Sequence, residues 1–189
     1  MKDTKIIFLE REIEVKKVLV ASLLSALFAA PAFAAAPGGY VALDAQSWSA
    51  TNTAPFGNPG MGLRIGGGYR FTPNVGVEVD YGQSGNSSSV FGTTYKVTAT
   101  QLAVVGTYPI NSQFDVFAKL GMSANSVSLS AGTCTSCSKT DVLFGIGGQY
   151  NINQQVGIRL QYESLGKATN TGTNDITAST LSLGAVYAF

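Results

Sequence analysis

Side chains along most of this chain alternate between two characters with a period of two. From Met61 the odd positions read Met61, Leu63, Ile65, Gly67, Tyr69 and Phe71, while the even ones read Gly62, Arg64, Gly66, Gly68 and Arg70. Successive side chains of a strand point to opposite faces, so one face is apolar and the other small or charged. After Thr72-Pro73-Asn74, a turn signal, Val75, Val77, Val79 and Tyr81 oppose Gly76, Glu78 and Asp80. The pattern recurs with Leu102, Val104, Gly106 and Tyr108, with Phe114, Val116, Ala118, Leu120 and Met122, with Val142, Phe144, Ile146 and Tyr150, and with Val156, Ile158, Leu160 and Tyr162. Residues 40–48 and 177–189 supply a first and a last strand with weaker alternation. No helical period appears, and the chain reads as all-β with eight strands.

The links between strands are unequal. Three are tight: Thr72-Pro73-Asn74, Pro109 to Gln113, and Asn151 to Gln154. Four are longer and rich in Ser, Thr, Asn and Gly, at about residues 49–59, 83–94, 125–139 and 166–175. Short and long links alternate, which predicts an up-and-down antiparallel meander with all long loops at one rim and both termini at the other.

Eight strands close into a barrel in either of two ways, and the charges choose between them. Arg64, Arg70, Glu78, Asp80, Asp115, Lys119, Arg159 and Glu163 all lie opposite the apolar rows. A soluble barrel built this way would leave its Val, Leu, Ile and Tyr facing water. A membrane barrel reverses the arrangement, with an apolar outer band, aromatic girdles and a polar interior. Tyr69, Phe71, Tyr108 and Tyr150 end their apolar rows beside the short turns, and Phe114 starts one, where an interfacial girdle belongs. Strands of about 9–11 residues cross the hydrocarbon when tilted. The expectation is an eight-stranded transmembrane β-barrel. Its interior is just wide enough to be filled by side chains, and inward glycines at 62, 66, 68, 76, 145, 147, 157 and 184 predict small water pockets between the charges.

The N-terminal segment reads as an address. Lys16 and Lys17 precede the apolar run Val18 to Phe28, followed by Ala32-Phe33-Ala34. A basic start, a short apolar stretch and an Ala-x-Ala end are the pattern of a cleaved signal peptide, so residues 1–34 are expected to be removed and 35–189 to form the barrel. Asp3, Glu10, Glu12 and Glu14 are foreign to such a signal. Val15 is therefore expected to be the true initiator, with residues 1–14 an upstream extension.

Several chemistries are excluded. The chain has no histidine, which removes imidazole bases and His-ligated metals. Residues 35–189 carry seven basic and seven acidic side chains, a balance that offers nucleic acid nothing. Glu78 and Asp80 lie on one face with arginines available across the lumen, which reads as ion pairing rather than acid/base catalysis. Gly145-Ile146-Gly147-Gly148 imitates a phosphate loop, but no helix follows it. Cys134 and Cys137 lie in a long loop of an exported chain and are expected to form a loop disulfide; two thiols are too few for a structural zinc.

Taken in order, Gly67-Gly68-Tyr69-Arg70-Phe71-Thr72-Pro73-Asn74-Val75-Gly76-Val77-Glu78, Tyr108-Pro109-Ile110, Asp115 to Gly121 and Arg159-Leu160-Gln161-Tyr162 resemble the transmembrane domain of the outer membrane protein A family and the related small opacity-type barrels. The resemblance covers about residues 40–189. Leu181, Leu183, Ala185, Tyr187 and Phe189 resemble the terminal signature read by the outer-membrane assembly machinery, with Tyr187 and the final aromatic Phe189 as its marks. In the family's internal salt-bridge network, the positions matching Glu78 and Arg159 are kept, whereas the matching Lys and second acid fall at Val105 and Gln149. The peptidoglycan-binding domain of the longest members has no counterpart before Phe189, so tethering to the cell wall is not implied. Known outer-membrane barrel enzymes resemble one another in using a catalytic His, which this chain lacks.

The resemblance implies a bacterial outer-membrane protein without catalytic residues, cofactor or metal, set among outer-membrane lipid and lipopolysaccharide. Two functions follow as expectations. One is a non-enzymatic barrel that supports envelope integrity and presents its loops to a host surface or phage. The other is a narrow, porin-like channel for ions or small solutes.

Overall fold

The computed structural model describes residues 37–50, 60–85, 87–88, 94–129, 138–171 and 174–189. The expected signal segment and the Cys134–Cys137 pair lie outside the described residues. The described strands are β1 (Gly38–Ala50), β2 (Gly60–Arg70), β3 (Val75–Ser84), β4 (Ser87–Ser88), β5 (Thr94–Pro109), β6 (Phe114–Leu129), β7 (Ser138–Asn151), β8 (Val156–Thr171) and β9 (Asn174–Ala188). Each pairs antiparallel with the next in sequence, except that β3 and β4 both pair with β5, and β1 pairs with β9. The two residues of β4 continue the ladder that β3 makes along β5, so together they form one stave. The result is a closed, eight-stranded, antiparallel barrel.

Closure places the two residue classes as the alternation predicts. Leu43, Leu63, Ile65, Leu102, Leu120, Phe144, Leu160 and Leu183 all point outward and lie more than half exposed. Asp44, Arg64, Glu78, Asp80, Lys119, Arg159 and Glu163 point inward and are buried. The outer face is a continuous apolar band, which is stable only against lipid.

The three tight turns share one construction. Phe71 and Thr72, Ile110 and Asn111, and Ile152 and Asn153 donate their backbone N–H groups to the carbonyls of Val75, Phe114 and Val156 respectively. In each, a side-chain oxygen then accepts two backbone donors. Thr72 Oγ1 takes those of Asn74 and Val75, Asn111 Oδ1 those of Gln113 and Phe114, and Asn153 Oδ1 those of Gln155 and Val156, at 2.7–3.3 Å. The turn chemistry is local and explains why short polar residues close these hairpins.

The long connections are shorter than expected. Strand structure runs into all four of the predicted loop ranges, to Leu129 in β6 and from Ser138 in β7, and the expected loop at 166–175 is largely the hairpin of β8 and β9. Register shifts between Ser164 and Thr169 accommodate it, with Gly166 at a φ of +66°. Beyond the lipid band neither face of a strand needs to be apolar, so the period-two signal fades while the ladder continues.

The inward glycines are seats rather than gaps. A Cβ on Gly66 would collide with the Asp80 carboxylate, one on Gly184 with Asp44, and one on Gly68 would stand 2.5 Å from the Tyr40 ring. Large side chains from neighbouring strands occupy the space that their absence leaves.

Candidate functional site

The interior is built in three tiers, and the middle one is a closed ring of charges. Asp44 on β1 and Arg64 on β2 are register partners on adjacent strands, and Arg64 Nε and Nη2 donate to Asp44 Oδ2 at 2.9 and 2.7 Å. Arg64 Nη1 donates to Glu163 Oε2 at 2.7 Å. Lys119 Nζ donates to Glu163 Oε1 at 3.1 Å and to Glu78 Oε1. Arg159 Nη1 donates to Glu78 Oε2 at 2.9 Å, and its Nε reaches Asp44 Oδ1 at 3.3 Å. The order Asp44, Arg64, Glu163, Lys119, Glu78, Arg159 and back to Asp44 alternates acid and base around the lumen. Each cation serves two carboxylates, and each carboxylate serves two cations. None of the six residues is more than 3% exposed. Tyr40 adds a hydroxyl donated to Glu78 Oε2 at 2.6 Å.

Asp80 lies within reach of all three cations but outside this alternation. Its Oδ2 accepts from Lys119 Nζ at 3.4 Å. Its Oδ1 stands 3.9 Å from both Arg64 Nε and Arg159 Nη2 and accepts no hydrogen bond.

The lower tier faces the short-turn rim. Arg70 and Asp115 lie here, apart from the ring with which the sequence grouped them. The Arg70 guanidinium sits 4.9 Å from the centroid of the Tyr40 ring, a cation–π contact. Asp115 Oδ2 accepts from Asn151 Nδ2 at 2.7 Å, and Asn151 Oδ1 accepts from Gln149 Nε2 at 2.7 Å. Tyr40, Arg70, Val105, Thr107, Asp115 and Gln149 surround a small pocket there. Val105 and Gln149 are thus lining residues below the ring.

The upper tier, toward the long-loop rim, carries an apolar cluster. Trp48, Val97, Ala99, Leu143, Leu165 and Ala178 pack together inside the barrel. Buried Ser84 and Asn125 stand among them, Asn125 Nδ2 donating to the Leu165 carbonyl at 2.9 Å, so the expected polar lumen is interrupted here by an apolar cluster. Between this plug and the ring lie Gln46 and Gln101, both buried, with neither amide atom hydrogen-bonded.

Sequence reasoning missed Asp44 and Tyr40, which the first strand carries on its inward face with Gln46 and Trp48. Tyr40 and Trp48 make that face partly apolar, and this obscured the alternation. A charged residue at an even position beside Val41 and Leu43 was the available signal. Tyr187 and Phe189 lie on the outer face at the short-turn rim, ring centroids 5.4 Å apart and edge to face. Phe189 N donates to Gly39 O at 3.0 Å across the β1–β9 seam.

Residues 20–189 match the family model described as the outer membrane protein beta-barrel domain. Among curated relatives, outer membrane protein A of Klebsiella pneumoniae is 30% identical over 151 residues, covering 73% of this chain and 44% of the relative. The Escherichia coli O157:H7 protein of the same name is 30% identical over 146 residues, covering 73% and 42%. The chain therefore spans less than half the length of these relatives. Among solved structures, Neisserial surface protein A aligns with a TM-score of 0.63 at 25% identity, over 80% of this chain and 97% of that one. Ail of Yersinia pestis aligns with a TM-score of 0.59 at 20% identity, over 82% and 99%, and shares the fold.

Proposed function

The chain belongs to the outer membrane protein β-barrel family and resides in the bacterial outer membrane, and from that premise we propose that it is a non-enzymatic barrel that supports envelope integrity and displays its loops outward. The observation that carries this reading is a lumen filled at two levels, by the ring of Asp44, Arg64, Glu78, Lys119, Arg159 and Glu163 and by the plug around Trp48. A barrel filled in this way is a braced cylinder. Its working surfaces are the lipid-facing wall, which meets lipid and lipopolysaccharide, and the loops.

The loops are the natural meeting place for a host surface or phage, and a Cys134–Cys137 disulfide is the staple proposed for one of them. Tyr187 and Phe189 are proposed as the signature read during assembly. Both rings stand outward, with Phe189 78% exposed. The test is conductance of the refolded barrel in a planar bilayer together with detergent or bile sensitivity of cells lacking the gene. A silent bilayer and sensitised cells are expected. A steady conductance with unaltered sensitivity overturns the reading.

A narrow channel is the second reading, favoured by one observation. The occluding groups are side chains rather than backbone, so rearrangement of the ring could open a path. It predicts a small conductance that changes when Arg64 or Arg159 is replaced.

A further inference from the structure

The seven charged residues at the centre of the barrel do not balance. Arg64, Lys119 and Arg159 bring three positive charges, and Asp44, Glu78, Asp80 and Glu163 bring four carboxylates. The ring by itself is neutral, three against three, and every cation in it is engaged by two carboxylates other than Asp80. The surplus resides at Asp80, whose closest cation is 3.4 Å away and whose Oδ1 accepts no hydrogen bond although the residue is 1% exposed. An isolated buried charge costs far more than a buried neutral group.

We propose that the lumen contains a proton-binding site at Asp80, and that the folded barrel carries this carboxyl in its neutral form. A proton taken from solution adds to the carboxylate and makes an O–H, leaving the cluster with three charges of each sign. The groups facing Asp80 are the ring itself: Asp44 from β1, Arg64 from β2, Glu78 from its own strand, Lys119 from β6, and Arg159 and Glu163 from β8. On β5 its register partner is Gln101, which does not titrate and whose Oε1 is a buried acceptor lacking a donor. A neutral acid has a donor to give, and the Glu78 carboxylate on the same face of its own strand is there to receive it, so protonation improves both the charge balance and the hydrogen bonding. The pocket toward the short-turn rim is lined by Glu78 and Arg159 as well as by Arg70, Thr107 and Asp115, so it abuts the ring on that side.

The sign of the pH dependence follows. The folded barrel holds a proton that the unfolded chain releases above about pH 4, so folding is favoured as pH falls. The experiment is equilibrium urea unfolding of the refolded barrel in detergent micelles at a series of pH values, for the wild type and for Asp80→Asn. It is joined by infrared spectroscopy of the wild type labelled with ¹³C-carboxyl aspartate. The wild-type folding constant is expected to rise by up to about tenfold for each unit that pH falls through neutrality. Asp80→Asn should fold and should flatten that slope, since Asn imitates the neutral acid. The labelled wild type should show the carbonyl band of a protonated carboxyl at neutral pH. The proposal is overturned by the absence of that band, by a slope unchanged in Asp80→Asn, or by an Asp80→Asn chain that fails to fold. Stabilisation of the wild type by sodium but not by a bulky organic cation, with no such band, would overturn it in favour of a metal cation as the occupant.

Discussion

Replacing Lys119 by Met tests whether the ring of charges holds the barrel together. Lys119 Nζ contacts Glu78, Glu163 at 3.1 Å and Asp80 at 3.4 Å. At the effective dielectric near 20 that suits protein sites, a contact at about 3–4 Å contributes about 4–5 kcal/mol before desolvation. Stripping water from the ammonium and the mutual repulsion of the carboxylates offset much of this. The net cost of removing one partner from a buried pair is about 3–5 kcal/mol. In Lys119→Met the methionine fills much of the volume, but the three ring carboxylates then face two guanidiniums and the ring opens between Glu78 and Glu163. The expected loss is about 4 kcal/mol, a large share of the roughly 5–15 kcal/mol that stabilises a typical domain. Urea unfolding reads it directly, because Trp48 is the only tryptophan and lies buried in the plug. With a urea slope of about 1–3 kcal/mol per molar, the midpoint should fall by about 1–4 M. Lys96→Met, on the outer side of β5, should stay within about 0.5 kcal/mol of wild type. If Lys119→Met and Lys96→Met unfold at the same midpoint, the ring is not a stabilising unit and the reasoning fails.

Two further outcomes follow from the geometry. Gly184→Ala places a Cβ against both the Asp44 carboxylate and the Leu43 carbonyl, whereas Gly39→Ala meets only a ring carbon of Phe189 at 3.6 Å; the first should lower refolding yield on a gel-shift assay severalfold and the second should leave it unchanged. Asn153→Ala removes the acceptor for two backbone donors at 2.7–2.8 Å and should cost about 1–2 kcal/mol in the same urea titration, while leaving the tryptophan emission of the folded state where it was.

Much of the wall was legible because lipid imposes a simple rule. Wherever a strand crosses the apolar band, every second residue must be apolar, and Leu63, Val79, Leu120 and Leu160 announce this in order. The rule says little about the interior. That Arg64 reaches Glu163, or Lys119 reaches Glu78, depends on the stagger of strands far apart in sequence, which no local pattern carries. Asp44 went unread for a related reason: its strand puts Tyr40 and Trp48 on the inward face, so the contrast between faces is weak. The plug was hidden as well. Leu143 and Leu165 are apolar residues on the side expected to be polar, and only closure of the barrel shows that they meet above the ring. The ends of β6, β8 and β9 passed for loops because beyond the membrane a strand can be polar on both faces.

The shared construction of the three tight turns bears on how barrels of this kind change size. A hairpin closed by its own Thr or Asn touches the next strand through one backbone bond, from Thr107 N to Asn74 O, Asn151 N to Gln113 O or Ala188 N to Gln155 O, which any neighbouring strand can supply, so it is a module that can be duplicated or deleted at the level of the gene. Nothing in the turns, then, counts to eight. The circumference is held by the contents. Six charged side chains that alternate around the axis meet only if the wall is this wide, and an added hairpin would pull the circuit apart and leave buried charges facing empty space. A lost hairpin would leave no room for Tyr40 and Trp48. Selection on strand number therefore acts through the lumen, and a descendant with ten strands would have to acquire a new interior at the same step as its new hairpin.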